Sequence, residues 1–379
     1  MISSFVGRWR FPAVTDKRTL RLASQLAAAA LLVLIGGLLW FNLAANLSSA
    51  GMRIDFAFLA QDSGFDLNES VIEHGPGASY ANALLAGFLN TLKLTVACIV
   101  LATLVGFAIG FASLSEHPIL RHAALRYVDA MRNLPKLLIL LAVYVVMVRE
   151  LPGVRDAWGL GELVFISNRG IEVPAILFAD GWSAWATFAA GIAAAALGWW
   201  LFARRGHPYA GVLAAAVVVL VTFVLAEPQV SLPALRGFNF SGGWTVSIPF
   251  LALLIALGTY HGAQIGELVR AAILAVPEGQ RQAGYALGLG PLGVMWLIVL
   301  PQALRLMVPP LTNQYINTLK NTSIGLAVGY SDFVSVMSTS VNQTFRPIEL
   351  MLVTICVYLS VGLAVSGAMA AFESRSHDR

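Results

Sequence analysis

The amino-acid sequence predicts an all-α polytopic membrane protein with about eight transmembrane helices. Three observations predict it. Of the 379 residues, 58% are hydrophobic and only 12% charged, whereas a soluble domain carries about 25% charged residues. The apolar residues fall in long runs, and a helix needs about 20 of them to cross the hydrocarbon core of a bilayer. Lysine and arginine are shared unequally among the segments that join those runs, and such a bias sets orientation.

The candidate spans are 22–42, 84–113, 134–148, 184–203, 210–226, 247–269, 307–330 and 348–371. The third is short and could begin earlier, within 120–133. With the N-terminus inside, the inner segments 1–21, 114–136, 204–208, 270–305 and 372–379 hold sixteen basic residues. The outer segments hold six: Arg53, Arg149, Arg155, Arg169, Arg236 and Arg346. This bias gives an N-in, C-in topology with an even number of crossings. Lys93 falls within a span and is expected to snorkel toward the outer surface.

The elements then read in order. Residues 1–21 are a basic cytoplasmic N-terminus. The run 22–42 is an extra transmembrane helix, or else a signal peptide cleaved near the small residues of LAAN at 43–46. Residues 43–83 are a periplasmic segment. The main membrane domain spans 84–372, with an inserted polar loop and an alanine- and valine-rich helical hairpin at about 150–245, and 373–379 are a tail. Cys98 and Cys356 lie in apolar runs and read as small apolar side chains.

The sequence argues against catalysis. None of the four lysines (Lys17, Lys93, Lys136, Lys320) follows a glycine, so no Gly-Lys-Ser/Thr phosphate loop exists. There is no GxSxG or HExxH motif. The six histidines are scattered with no metal-ligand spacing, so no catalytic residue and no metal site is expected.

The informative segment is 270–305, on the inner side. Pro277 suits a helix start and Glu278 favours the positive N-terminal end, so a short helix is expected at 278–287. Gly288 or Gly290 would end it. Pro291 would start a second short helix whose apolar run stops at Leu300-Pro301. Small residues Ala283, Gly284 and Gly288 would leave a shallow face for a partner's groove. The alternative is an interfacial helix with no partner.

Within the spans, Lys320 is costly in lipid and must face protein or a cavity. With Asn321, Thr322 and Ser323 it could line a polar pathway through the membrane, or it could bond carbonyls at a helix break there. Glu267 and Arg270 are three residues apart on one face and form either a local ion pair or a gate contact.

QAGYALGLGPLGVMWLIVLPQ at 282–302 resembles the EAA loop of ABC-transporter permeases. That pattern is Glu-Ala-Ala, three residues, Gly, nine residues, Ile, one residue, Leu-Pro. Gln282-Ala283-Gly284, Gly288, Ile298 and Leu300-Pro301 fit its spacing, with Gln282 and Gly284 departing in type. YHGAQIGELVRAAILAVPEGQ at 260–280, LPQALRLMVPPLTNQYINTLKNTSI at 300–324, NTLKLTV at 90–96 and RYVDAMRNLP at 126–135 resemble the polar amino acid permeases of that class. With its extra N-terminal helix and insertion, the chain most resembles the long permease subunit of general L-amino acid transporters.

The resemblance implies a type I ABC importer permease core in a bacterial inner (cytoplasmic) membrane. It implies a coupling loop carrying Gly279, Gln280, Gln282, Ala283, Gly284, Gly288, Leu289, Ile298, Leu300 and Pro301. It also implies a second related permease as heterodimer partner, two ATP-binding cassette ATPase subunits that hold ATP and Mg, a periplasmic substrate-binding protein and an L-amino acid substrate. No cofactor in this chain and no nucleic acid partner are expected. The competing reading is a secondary amino acid transporter driven by an ion gradient; such proteins often show internal repeats, and this chain has one loop of the 282–301 type.

Overall fold

The computed structural model describes residues 17–49, 54–161, 163–178, 182–204, 208–225, 228–237 and 239–377. Of the basic residues that set the orientation, Arg8, Arg10, Arg53, Arg205 and Arg379 lie outside these. The chain divides into two compact units, Met1–Ala57 and Phe58–Arg379.

The described part of the first unit is chiefly one helix, α1 (Lys17–Ser49). It is apolar and long enough to cross a membrane.

The second unit begins with an irregular segment and then α2 (Tyr80–Ser113), α3 (Pro118–Asn133) and α4 (Lys136–Glu150). Ser79 caps α2 by accepting from the Asn82 N–H. The α3–α4 pair is bent by 104° at Leu134-Pro135. Proline disfavours helical geometry in the residue before it, and Leu134 is extended, with ψ 136°. The third candidate span is therefore broken at Leu134-Pro135: α4 begins at Lys136, and α3 is bent away from it.

The insertion differs from expectation. The 149–183 segment holds four short strands: β1 (Trp158–Leu160), β2 (Val164–Ser167), β3 (Gly170–Val173) and β4 (Ala175–Phe178). Helices α5 (Trp182–Arg204) and α6 (Pro208–Leu225) follow as the expected hairpin. After it come β5 (Pro228–Ser231), β6 (Ala234–Arg236), β7 (Asn239–Ser241) and β8 (Trp244–Ser247). The sheet order is β1-β2-β3-β8, all antiparallel, with Gly170 opposite Ser247 and Val173 opposite Trp244. The β4–β5 ribbon continues from it to the α5–α6 hairpin. The expected helical membrane fold is observed, and the insertion adds a small sheet to it. These strands are only three or four residues long, and β3 pairs with a segment about 70 residues away, so no local periodicity announces them.

The chain re-enters the bundle through α7 (Ile248–Ala275), capped by the Ser247 hydroxyl. Two short helices follow, α8 (Glu278–Ala286) and α9 (Pro291–Val294), then α10 (Leu300–Asn321), α11 (Phe333–Thr344) and α12 (Pro347–His377). Among the described residues, five helical stretches are long and apolar enough to cross a membrane on their own, and a sixth if the bent α3–α4 pair counts as one. The apolar stretches Ala189–Phe202 and Ala210–Leu225, in α5 and α6, are shorter. The expected eight spans correspond to α1, α2, α4, α5, α6, α7, α10 and α12, of which α4, α5 and α6 are not long and apolar enough to cross on their own.

The centre of the second unit is the pair α2 and α7, which run parallel. Glycines on each helix receive branched side chains of the other. A Cβ at Gly106 would sit 2.4 Å from Ile265 Cγ2, and one at Gly110 would sit 2.5 Å from Val269 Cγ1. In return, a Cβ at Gly258 would meet Leu101 Cδ2 at 2.6 Å and one at Gly262 would meet Val105 Cγ1 at 2.7 Å. Small residues four apart on both helices bring the backbones together, which is how membrane helices gain dispersion contacts where lipid offers no hydrophobic drive. Cys98 is buried in this bundle, whereas Cys356 is exposed on α12 rather than buried.

Candidate functional site

The inner loop is built by backbone chemistry at both of its bends. Val276 and Pro277 are extended, which ends α7 and starts α8. The Arg281 guanidinium donates to the Ile273 carbonyl at 2.8 Å and its Nε lies 3.8 Å from Glu278, so α8 is tied back to the end of α7. At the other end of α8, Gly288 has φ 82°. The Leu289 N–H donates to the Gly284 carbonyl at 3.2 Å and the Gly288 N–H to the Tyr285 carbonyl at 2.9 Å. These two bonds are a Schellman cap, which needs a left-handed residue at Gly288.

Gly284 is buried, not part of a shallow outer face. A Cβ there would lie 2.5 Å from Ile298 Cδ1 and 2.9 Å from Val294 Cγ2. The spacing between Gly284 and Ile298 is therefore the spacing of a contact: α8 folds back so that its bare backbone meets the helix that follows. Leu289 and Ile298 are half-buried and Leu300 is buried, so these three serve the loop's own packing. Gly279, Gln280, Gln282, Ala283, Gly288 and Pro301 are exposed. Beside them Leu287 and Leu292 are 80% and 75% exposed, and Tyr285 is half exposed.

The second short helix does not stop at Leu300-Pro301 as expected. It continues from Pro291 through a π turn at Met295–Val299 directly into α10. The Leu300 N–H donates to the Met295 carbonyl, five residues back. Pro301 has no N–H and its ring crowds the preceding turn, and a π turn widens the helix where the proline enters. Gln302 Nε2 donates to the Ile298 carbonyl at 2.9 Å and supplies a bond beside the proline. The loop is thus continuous with a 38-residue helical stretch, Pro291–Val328.

The remaining predicted residues do not form one cluster. Glu267 and Arg270 make an ion pair at 3.3 Å, each about one third exposed. The α-helix α10 gives way at Thr322–Val328 to a 3₁₀ turn, so the expected helix break is present. Lys320 is exposed and points away from the bundle core. Thr322 is fully buried, its hydroxyl donating to the Leu319 carbonyl at 2.8 Å, while Ser323 donates to the Lys320 carbonyl at 2.9 Å. Asn321 points inward. Its Oδ1 accepts from Lys136 Nζ at 2.6 Å and its Nδ2 lies 3.1 Å from His261 Nε2. Lysine can only donate, which fixes Asn321 Oδ1 toward Lys136 and leaves Nδ2 to donate to the histidine. His261 then carries its proton on Nδ1; Nδ1 and Gln314 Oε1 are both buried with no hydrogen-bond partner in range among the described residues.

Lys136 and His261 were not among the predicted site residues. The only local sign was a lysine directly after Asn-Leu-Pro at the head of a span. Lys93 reaches toward the outer end but ends against protein: it pairs with Glu69, and its Nζ lies 4.6 Å from the Trp244 ring centroid and 4.8 Å from that of Phe250. A cation between two ring faces and a carboxylate is held, not free.

The outer end of the bundle is held by buried polar groups. Asn90 Nδ2 donates to the Glu69 and Ser331 carbonyls at 2.7 and 2.8 Å, and Asn90 Oδ1 accepts from the Val71 N–H at 3.2 Å. Asp332, between the last two spans, caps α11 by accepting from the Ser335 N–H at 3.0 Å. Burial pushes its carboxyl up to about 6, against the pull of the backbone N–H groups at the helix start.

Residues 208–378 match the family described as binding-protein-dependent transport system inner membrane component. Three relatives extend the similarity over nearly the whole chain. YhdX of Escherichia coli, described as an amino-acid ABC transporter permease protein, is 37% identical over 93% of this chain and 92% of its own. The general L-amino acid transport system permease protein AapQ of Rhizobium johnstonii is 36% identical, over 91% of this chain and 90% of its own. The glutamate/glutamine/aspartate/asparagine transport system permease protein BztB of Rhodobacter capsulatus is 33% identical, over 89% and 90%. With that coverage on both sides, this chain, a multi-pass membrane protein, belongs to the family of binding-protein-dependent ABC transporter permeases, which are transport subunits and not enzymes.

Proposed function

We propose that this chain is the membrane permease subunit of an ATP-driven, binding-protein-dependent importer of polar L-amino acids in a bacterial inner membrane. The observation that carries the substrate class is the full-length similarity to three permeases named for amino acid transport. The chain works with a second, related permease, two ATPase subunits that bind ATP and Mg, and a periplasmic binding protein. The ion-gradient alternative has no comparable support.

In this reading the 277–301 loop docks on the ATPase. Exposed Leu287, Leu292 and Tyr285 supply the apolar contact, and Gln280, Gln282 and Ala283 border it. The Schellman cap makes the loop a stiff elbow. Arg281 links it to α7, and the π turn links it to α10. A push on the loop therefore reaches both helices as displacement, and the glycine seam passes the movement of α7 to α2. Alternating exposure of a pathway follows from such rigid-body tilting.

The test is a pull-down from detergent-solubilised membranes with wild type and Gly288→Val. A β-branched residue at φ 82° costs about 1–2 kcal/mol and dismantles the cap. A P-loop ATPase should copurify with wild type and be lost with the variant, whose own assembly with the second permease persists. Capture of no ATPase by either form overturns the coupling reading.

A further inference from the structure

A cavity of about 510 Å³ opens at the outer end of the second unit, between the 68–69 segment, the head of α7, the 328–331 turn and the loop after β2. Its size suits a small polar molecule. None of the residues predicted for the pathway lines it.

Its charged lining is asymmetric. The Glu69 side chain is only 9% exposed, and its carboxylate oxygens are engaged by Lys93 and by the Ser247 hydroxyl. Lys93 balances its charge. A carboxylate offers about four acceptor positions, so Glu69 can still accept from a further donor. Arg169, on the turn between β2 and β3, lines the same cavity from the insertion. Its guanidinium donates to Asn239 Oδ1 at 3.3 Å and has no carboxylate partner among the described residues. A guanidinium has five N–H donors in a fork that matches a carboxylate. The remaining wall is stiff: Asn68 donates to the Gly329 carbonyl at 3.3 Å and Asn90 to that of Ser331 at 2.8 Å. The cavity thus pairs an uncompensated cation on one side with a compensated, still accepting carboxylate on the other.

We propose that this cavity is an outer receiving site for a free α-amino acid, with Arg169 taking the α-carboxylate and Glu69 accepting from the α-ammonium. The site rests on the amino acid reading above and deepens it. It gives the insertion a role: the sheet carries Arg169 to the mouth of the bundle. It would hold the zwitterion after release from a binding protein and before entry between the spans.

The test uses the assembled complex, purified with its partner subunits in lipid nanodiscs and without the soluble binding protein. The probe is a mixture of carbon-14-labelled L-amino acids, followed by the best-retained one alone. Arg169→Gln should weaken retention about tenfold or more, as expected for loss of one charge-assisted contact. Arg169→Lys should recover part of it. The corresponding decarboxylated amine should compete poorly against wild type. Each variant is checked for assembly by size-exclusion chromatography, and Arg169 is exposed enough that its loss should leave assembly intact. Unchanged retention by Arg169→Gln overturns the site. So does absence of retention by wild type when the same complex drives amino acid uptake in cells, and the amino acid reading then stands. Absence of both retention and uptake sinks the two together.

Discussion

The two ends of the α2–α7–α10 bundle are built on opposite principles. The outer end is held together by buried side chains reaching across long sequence distances: Asn90 to Glu69 and Ser331, Tyr330 to the Asn90 carbonyl, Thr91 to the Phe333 N–H. The inner loop is held mostly by local backbone bonds and leaves two leucines in the open. One end completes its own structure. The other is shaped in advance and leaves its apolar contact for another surface. In a coupled machine the difference has a use: the end that receives force is stiff yet uncommitted.

The largest effect is expected from breaking the outer end at its hub. Asn90→Leu removes the partner of one buried carbonyl, one part-buried carbonyl and one part-buried N–H. Each unsatisfied buried group costs about 1–3 kcal/mol, and the losses overlap, so a destabilisation of about 3–5 kcal/mol is expected. Hydrogen exchange should rise at 69–71 and 329–333 and stay unchanged at 278–290. Equal loss of protection at both ends would mean they fold as one unit.

Asp332 sharpens the same comparison through pH. Its carboxyl is raised from 3.8 to about 6, because burial penalises the charged form. The folded value lies above the unfolded one. The protonated group's contribution is therefore fully present below about pH 4 and is lost as pH rises through 6. Above that, the buried charge costs about 3 kcal/mol, by the interval between the two values. Asp332→Asn keeps a capping side chain and should raise the melting temperature at pH 7.5 but not at pH 4. A gain of the same size at both values would discard burial of the charge as the cause.

How much of this was legible from sequence differs along the same axis. The spans could be read because lipid imposes a length of apolar chain that nothing else in a sequence mimics. The inner loop could be read because its glycines and prolines act on the residues beside them. The role of Gly284 could not, since its reason is Ile298, fourteen places on and brought back by the bend. The outer end was nearly opaque. Lys93 read as a snorkelling residue because Glu69 lies in a segment with no periodicity. Deeper in the bundle, Asn321 gave no hint of Lys136 and His261, 185 and 60 residues away. The glycine seam stood in plain view as Gly106, Gly110 and Gly258, Gly262, Gly266. Only the two helices lying side by side show that the repeats face each other.

A smaller effect is expected at Glu267 and Arg270, near the inner end of α7. The pair is one third exposed at 3.3 Å, and such pairs contribute about 0.3–0.5 kcal/mol. A double-mutant cycle with Glu267→Gln and Arg270→Gln should return a coupling of that size in thermal stability. A coupling above about 2 kcal/mol, beyond any solvated i,i+3 pair, would turn it from a helix-exit contact into a gate.

The smallest effect on the fold, and the sharpest contrast, belongs to Leu287→Asp combined with Leu292→Asp. Both side chains are mostly exposed and neither supports the Schellman cap, whose bonds are backbone bonds. Exposed substitutions of this kind change stability by about 0.5 kcal/mol or less. The melting temperature and the exchange pattern at 278–290 should match wild type, while ATPase capture is lost. Gly288→Val loses capture by deforming the loop, whereas this variant loses it with the loop intact. The two together separate shape from surface. If the double variant still holds the ATPase, the inner end engages its partner through its backbone outline and the polar residues beside it, and the exposed leucines face lipid headgroups.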